Sequence, residues 1–253
     1  ICNKCSLVQL LDVVPGELIF DDYLYLSSTS KALKNHYKEL VNRLIKRFSL
    51  KSNDLVIDIG CNDGVLLRGY KNTKVSSLGV EPSNVADIAI KNGYKVINDF
   101  FTPNIAREIL KDFGMPKIIT ATNVFVHVDD MDNFIKSFKI LTGEGSVIVI
   151  EVSYLIDLID KNIFDTVYHE HLCYLSLTPL VKYLKKFKLE VFDVERLSFG
   201  ASGPAIRVFI QELNGKEKIS NNVSKMLKSE QNWGVNNLEK YNEIKHKVET
   251  IKN

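Results

Sequence analysis

Between residues 54 and 151 the chain alternates short apolar runs with longer amphipathic segments. Connections are short, and this alternation is typical of a doubly wound, mostly parallel α/β sheet, because each parallel strand needs a crossover back to the same edge. The apolar runs predict strands at residues 55–59, 77–80, 95–97, 117–122 and 146–151. Residues 190–194 and 205–210 predict closing strands that are compatible with an antiparallel edge. The amphipathic segments predict helices at residues 31–48, 85–92, 104–113, 131–141 and 181–187, and a further helix is expected after the glycine-containing turn that follows the first strand.

Composition limits the partners of this fold. The chain has 253 residues, 45% of them hydrophobic, and a formal net charge of +2. This charge balance argues against a nucleic-acid partner, and no apolar run approaches the roughly 20 residues of a membrane span. Cysteine is sparse, so nothing demands an oxidising compartment. We expect a cytoplasmic monomer that binds neither nucleic acid nor membranes.

The turn after the first strand predicts a binding loop for a cationic ligand. Asp58, Gly60, Asn62 and Gly64 alternate there, and glycine lets a backbone approach a ligand closely. The pattern is not the three-glycine motif of dinucleotide sites. Asp58 would repel a phosphate but suits an ammonium group, which can donate hydrogen bonds to a carboxylate. S-adenosylmethionine carries an amino acid group and a sulfonium, and no phosphate.

An acidic residue after the second strand supports this prediction. Glu81 directly follows residues 77–80 and could accept hydrogen bonds from both hydroxyls of a ribose. The alternative, a helix cap at Asp58 and a surface turn at Glu81, does not explain why both acids end adjacent strands. We therefore predict an S-adenosylmethionine site made of Asp58, Gly60, Asn62, Gly64, Glu81 and Asn123.

Two polar segments are expected at the same edge, residues 123–127 and residues 164–171. A carbon nucleophile needs a base of near-neutral pKa to remove its proton, and histidine fits this role. A neighbouring carboxylate could orient the imidazole, and a tyrosine or second histidine could donate to an enolate. Zinc binding by His169 and His171 is a weaker alternative, because the pair lacks the i, i+4 spacing of zinc helices. Buried structural histidines are the other alternative, above all for His127.

The pair Cys2 and Cys5 has the spacing of half a four-thiolate zinc site. The remaining cysteines, Cys61 and Cys173, lie in the binding loop and after the histidine cluster. The sequence therefore predicts an incomplete structural zinc site, whose partner thiolates are either lost or upstream.

These motifs together resemble the sugar C-methyltransferases of deoxysugar biosynthesis, which methylate a nucleotide-linked 4-keto sugar at C3. The resemblance runs from Cys2 to about Ile210 and is carried by residues 2–10, 20–28, 58–67, 79–83, 123–128 and 164–171. It implies a zinc-binding N-terminal module, a class I (Rossmann-like) methyltransferase domain and a C-terminal α/β domain. The cofactors it implies are S-adenosylmethionine and structural zinc, and the partner is a nucleotide sugar.

The resemblance also implies roles for individual residues. His171 matches the general base, with Glu170 and Tyr168 beside it, and His127 matches a second active-site histidine. The acceptor sugar would lie against Tyr25 and Tyr23, and the zinc-site match is Cys2 and Cys5. Residues 200–207 depart from the family's Gly-Gly-Ser-x-Arg pattern in spacing, which puts the substrate in question and leaves the reaction class unchanged.

We accordingly divide the chain into three parts and expect it to be a fragment of a longer protein. Residues 1–30 are predicted to be a small irregular module, a remnant of the zinc module with the substrate-contacting segment. Residues 31–212 are the predicted methyltransferase domain, and residues 213–253 are predicted to be a helical linker leading to a missing C-terminal domain. Two alternatives remain open, O-methylation of a sugar or small metabolite and a non-catalytic scaffold that only binds the cofactor.

Overall fold

The computed structural model describes residues 1–20 and 22–252, without the side chains of residues 17, 244–247, 251 and 252. Its strands are β1 (Val8–Gln9), β2 (Leu55–Ile59), β3 (Ser76–Val80), β4 (Val96–Ile97), β5 (Ile118–Thr122), β6 (Val147–Ser153), β7 (Cys173–Tyr174), β8 (Leu189–Leu197) and β9 (Ala205–Glu212). Its helices are α1 (Gly16–Phe20), α2 (Lys31–Arg47), α3 (Ala86–Lys91), α4 (Pro103–Phe113), α5 (Met131–Ile140), α6 (Leu155–Asp160), α7 (Leu177–Leu184), α8 (Asn221–Trp233) and α9 (Leu238–Lys252).

Seven strands form the central sheet in the order β4-β3-β2-β5-β6-β9-β8. The first five in this order are parallel to one another, whereas β9 runs antiparallel to both β6 and β8. The predicted doubly wound sheet with an antiparallel edge is therefore confirmed. Asp58 lies opposite Gly79 on β3 and Thr120 on β5, so the carboxyl ends of these three strands meet at one edge.

Apolar side chains cover both faces of the sheet. On one face, α2 buries Leu33, Leu40 and Leu44 against β2, β5 and β6. Its start is set by Ser30, whose side chain accepts a hydrogen bond from the backbone N–H of Leu33. On the other face, α4, α5 and α7 bury a larger cluster that includes Phe138. Within the described residues, no helix is both long enough and apolar enough to span a bilayer.

Four local features differ from the predictions. The segment after the binding loop forms only a short 3-10 helix at Leu67–Tyr70, where a Cβ on Gly69 would lie 2.8 Å from Val41 of α2. Close packing thus requires glycine, which weakens an α-helix. Helix α7 begins four residues earlier than predicted, at Leu177, and α6 was not predicted. Residues 1–30, predicted as irregular, contain β1, which pairs with β7.

The start of α7 depends on a carboxylate from a distant helix. Glu230 of α8 is fully buried and accepts hydrogen bonds from the backbone N–H groups of Leu177 and Thr178 and from two hydroxyls, those of Thr178 and Tyr154. The two backbone N–H groups would otherwise be unsatisfied at the N-terminus of α7. Helix α8 is therefore packed onto the sheet domain, whereas the assignment of residues 213–253 as a linker to a further domain stays a prediction.

We expect Glu230→Ala to lower the free energy of unfolding by about 2–4 kcal/mol, because it leaves buried donors without an acceptor. Urea denaturation followed by circular dichroism would measure this, with Glu239→Ala on the exposed face of α9 as the matched control. A loss below about 0.5 kcal/mol, the usual size of a surface effect, would show that water replaces the carboxylate.

Candidate active site

The turn between β2 and the following 3-10 helix has a left-handed backbone at alternate residues. Gly60, Asn62 and Gly64 have φ angles of +64°, +52° and +82°. A Cβ on Gly60 would lie 2.3 Å from Val124, and one on Gly64 would lie 2.5 Å from the ring of Tyr94. Both positions therefore require glycine, and the loop exposes its backbone at the carboxyl edge of the sheet.

Three carboxylates are buried around this loop. Asp58, Asp63 and Glu81 are 3%, 4% and 5% exposed. Glu81 accepts hydrogen bonds from the backbone N–H of Asn62 at 2.8 Å and from the N–H and hydroxyl of Ser83. Asp58 accepts from the hydroxyl of Thr120 at 2.6 Å. The Oδ1 atom of Asp63 is buried without a hydrogen-bond partner in the described part of the chain.

The electrostatics of these acids suit a cation. Burial, with a smaller contribution from Glu81, raises the pKa of Asp58 to about 7. Among the described residues, no lysine, arginine or histidine pairs with Asp58, Asp63 or Glu81. Buried carboxylates without a counter-ion are costly, and a bound cation lowers that cost. The sulfonium and ammonium groups of S-adenosylmethionine would suit these buried acids at the carboxyl edge of the sheet. Asp63 was not predicted, although it adjoins Asn62 in the loop.

The remaining predicted cofactor residue, Asn123, follows β5 with a left-handed φ of +58°. Its backbone N–H donates to the carbonyl of Glu151 at 2.7 Å, and its side-chain amide lies 3.4 Å from the hydroxyl of Tyr37. Asn123 therefore lies at the carboxyl edge of the sheet with Asp58 and Glu81. Its contact with a cofactor stays a prediction.

The geometry around His171 determines its tautomer. The Nδ1 atom lies 2.8 Å from the carbonyl oxygen of Thr166, which can only accept, so Nδ1 carries the proton. The Nε2 atom, 3.0 Å from the hydroxyl of Tyr168, then holds the lone pair. Burial lowers the pKa of His171, which keeps the imidazole neutral at pH 7. A neutral, oriented imidazole with a lone pair at Nε2 can act as a base.

His127 lies beside this base, with the two ring centroids 5.1 Å apart. Its Nδ1 atom lies 2.7 Å from the carbonyl oxygen of Glu170. The backbone of Glu170 therefore holds His127, and the backbone of Thr166, not the carboxylate of Glu170, orients His171. Burial raises the pKa of the Glu170 side chain.

Tyr23 and Tyr25, on the segment before α2, extend the cluster as a row of aromatic contacts. The centroid distances along this row are 6.4 Å for Tyr25 and Tyr23, 5.3 Å for Tyr23 and Phe20, and 5.9 Å for Phe20 and His127. Burial, and then the nearby carboxylate of Glu170, raise the pKa of Tyr23, so its hydroxyl stays protonated. The structure thus brings the predicted substrate residues and the predicted base together on one side of the site. This side is here called the wall and consists of Tyr25, Tyr23, Phe20, His127 and His171.

A second buried cluster was missed by sequence reasoning. Glu151, at the carboxyl end of β6, is fully buried and accepts from Arg207 of β9 and lies 2.6 Å from Nε2 of His36 on α2. Arg207 also pairs with Glu195. The acidic residue at a third strand end was the signal that could have indicated this cluster. It fixes α2, and with it Tyr37, against the edge of the sheet.

The predicted zinc residues lie apart from this wall. Hydrogen bonding to the backbone of Cys5, and then of Lys4, lowers the pKa of the Cys2 thiol. In the described part of the chain, no group of three or more potential ligands is positioned to hold a metal, and both thiols are free. His169, weighed as a zinc ligand with His171, is exposed. The two thiols by themselves do not fit a zinc ion, and zinc stays a prediction.

The lowered pKa of His127 predicts a pH dependence of stability. Burial, and then His171, lower the pKa of His127 to about 4 from an ordinary 6.5. The native state then binds fewer protons than the unfolded chain in this window, so the His127 contribution is present above pH 6.5 and is lost as the pH falls toward 4.

We therefore expect the stability of the wild type, relative to His127→Gln, to fall by roughly 1.4 kcal/mol per pH unit between about pH 6 and pH 5. Urea denaturation at several pH values would measure it. Asp58, whose raised pKa gives the opposite slope, is present in both proteins and cancels in the difference. A difference independent of pH would contradict the expectation.

Comparison with known proteins agrees with this geometry. A sequence profile described as a methyltransferase domain matches residues 33–194, more than half of the chain. The C-methyltransferase NovU of Streptomyces niveus is 28% identical over 253 residues, which are 100% of this chain and 60% of that protein. The chain thus spans less than two thirds of the length of this curated relative.

Solved structures share the architecture. An S-adenosylmethionine-dependent methyltransferase from Clostridium acetobutylicum aligns with a TM-score of 0.53 at 14% identity, over 72% of this chain and 92% of that one. The magnesium protoporphyrin IX methyltransferase of Synechocystis, solved with bound S-adenosylhomocysteine, aligns with a TM-score of 0.54 at 12% identity, over 78% and 92%. The matched profile and the Rossmann-like sheet show that this chain belongs to the methyltransferase domain family.

Proposed function

We propose that this chain transfers a methyl group from S-adenosylmethionine to C3 of a nucleotide-linked 4-keto deoxysugar. The observation that carries the proposal is the neutral His171, with its lone pair at Nε2, beside the row of aromatic side chains. The similarity to a C-methyltransferase supports carbon over oxygen as the acceptor atom. We assign the methyltransferase domain to residues 31–212 and the acceptor-contacting segment to residues before it.

The cofactor would lie across the carboxyl ends of β2, β3 and β5. Gly60 and Gly64 would let the loop backbone approach it, Glu81 would accept from the ribose hydroxyls, and Asp58 would face the amino group. When bound, S-adenosylmethionine supplies a methyl carbon whose bond to sulfur breaks as the new carbon–carbon bond forms, which leaves S-adenosylhomocysteine.

The chain's own residues would move one proton. The keto group acidifies the neighbouring C3–H bond, and Nε2 of His171 accepts that proton while the electron pair of the bond enters the enolate. The side chain of Tyr168 is 43% exposed, so its rotation can open Nε2 to the acceptor. The protonated hydroxyl of Tyr23 can donate to the enolate oxygen, and Glu170 can accept from a sugar hydroxyl.

Cofactor binding tests the first half of the proposal. We expect Glu81→Gln to weaken S-adenosylhomocysteine binding by about 1–3 kcal/mol, because an amide replaces a charged acceptor of ribose hydrogen bonds. Isothermal titration calorimetry would measure it, with Glu108→Gln on the exposed face of α4 as the control. Wild-type protein that binds no S-adenosylhomocysteine, or a variant with unchanged affinity, would sink this assignment.

The base tests the second half. We expect His171→Asn to reduce methyl transfer to a panel of nucleotide-linked 4-keto deoxysugars by about 10²–10⁴-fold, with S-adenosylhomocysteine affinity nearly unchanged. His169→Asn, the same substitution at an exposed neighbour, should keep wild-type turnover. Carbon-13 NMR of the transferred methyl identifies the atom that receives it.

Three results would overturn parts of this assignment. Full turnover in His171→Asn would move the base to another residue, with His127 next. A methyl group on oxygen would favour the O-methyltransferase alternative. Cofactor binding without turnover on any sugar tested would favour the scaffold alternative.

A further inference from the structure

We propose that Asn62 is a positioning residue that joins the cofactor site to residues 22–28, here called the tyrosine segment, so that cofactor binding orders the wall facing the acceptor. This inference rests on the proposed function in one respect, the assignment of Tyr23 and Tyr25 to the acceptor side. The contacts that carry it are independent of which acceptor is methylated.

Both ends of the Asn62 side-chain amide hold the backbone of the tyrosine segment. Nδ2 donates to the carbonyl of Tyr25 at 3.0 Å, and Oδ1 accepts from the N–H of Ser27 at 2.9 Å. The neighbouring Asp63 accepts from the N–H of Ser28 at 3.1 Å. The Asn62 side chain therefore supplies backbone hydrogen bonds, as a neighbouring strand would, to a segment that lies 35 residues away in sequence.

The backbone of Asn62 is held by Glu81, which follows β3. Its N–H donates to Oε2 of Glu81 at 2.8 Å, and its side chain is only 7% exposed. Glu81 is also the acid proposed to accept the ribose hydroxyls. One carboxylate thus contacts both the cofactor and the residue that grips the tyrosine segment, which gives a physical route for coupling between them.

A second loop of the cofactor site makes the same kind of contact. Asn84, three residues after Glu81, accepts from the backbone N–H of Tyr23 through Oδ1 at 3.1 Å. In the described part of the chain, the hydrogen bonds that join the backbone of the tyrosine segment to other elements come from Asn62, Asp63 and Asn84. The loops after β2 and β3 therefore determine where this segment lies.

The segment carries this placement to the base. Tyr25 and Tyr23 continue through Phe20 to His127 by edge-on ring contacts, and His127 packs on His171. A cofactor that fixes Glu81 and Asn62 would fix these rings before the acceptor enters. The acceptor is then expected to bind more tightly after the cofactor, because less chain remains to be ordered.

Hydrogen–deuterium exchange tests the coupling without any acceptor. Binding of S-adenosylhomocysteine should slow exchange of the Ser27 and Ser28 amides in the wild type by about 5–150-fold, the usual range of coupling between two sites. Asn62→Gly should lose this slowing at Ser27. Glycine adopts the positive φ of this position and keeps the N–H that Glu81 accepts, so the loop itself should persist. The control is Asn72→Gly, an exposed asparagine, which should behave as the wild type.

Two further measurements separate the possible failures. Calorimetry on Asn62→Gly, together with exchange in residues 56–64, gives the S-adenosylhomocysteine concentration that saturates the variant, so that Ser27 exchange is compared between fully occupied proteins. Retained binding with no slowing at Ser27 supports the proposal. Wild-type protein that binds S-adenosylhomocysteine without slowing Ser27, or an Asn62→Gly variant that keeps the slowing, overturns it and leaves the proposed function standing. Wild-type protein that binds no S-adenosylhomocysteine overturns both.

Discussion

The hydrogen bond from the backbone N–H of Asn62 to the carboxylate of Glu81 joins the two loops on which the site depends. These loops follow β2 and β3, which pair in parallel up to Ile59 and Val80 and so end side by side. A carboxylate removed from water needs N–H and O–H donors in its place, and Asn62 and Ser83 supply them. The positive φ angles of the loop after β2 orient the N–H of Asn62 toward Glu81.

Charge divides the site into two halves. On one side, buried acids around the glycine loop lack a counter-ion within the described residues, which suits a cationic cofactor. On the other side, burial lowers the pKa of His127 and of His171 and keeps both rings neutral. Under the proposed function, a neutral base beside the sulfonium would avoid repulsion between like charges and would keep its lone pair for the acceptor. Burial thus raises the pKa of Asp58 in one half and lowers the pKa of the two histidines in the other.

Short-range patterns predicted the fold and the positions of the acids because their information is local. Strand and helix periods follow from which residues must be buried over a few turns, and Gly60 and Gly64 mark a turn that admits no Cβ. Glu81 could be predicted from its place directly after a strand. Where packing overrode the pattern, as at Gly69 beneath Val41, the prediction was wrong in detail.

The sequence by itself determined the parallel sheet and the edge at which Asp58, Glu81 and residues 164–171 were expected. The reason is that the carboxyl ends of parallel strands share one edge. Only the tertiary structure decided which partners these groups meet. The tautomer of His171 and the grip of Asn62 on the tyrosine segment depend on backbone atoms whose positions no residue pattern encodes. The His36, Glu151 and Arg207 cluster joins residues up to 171 positions apart, and such contacts form only once the layers pack.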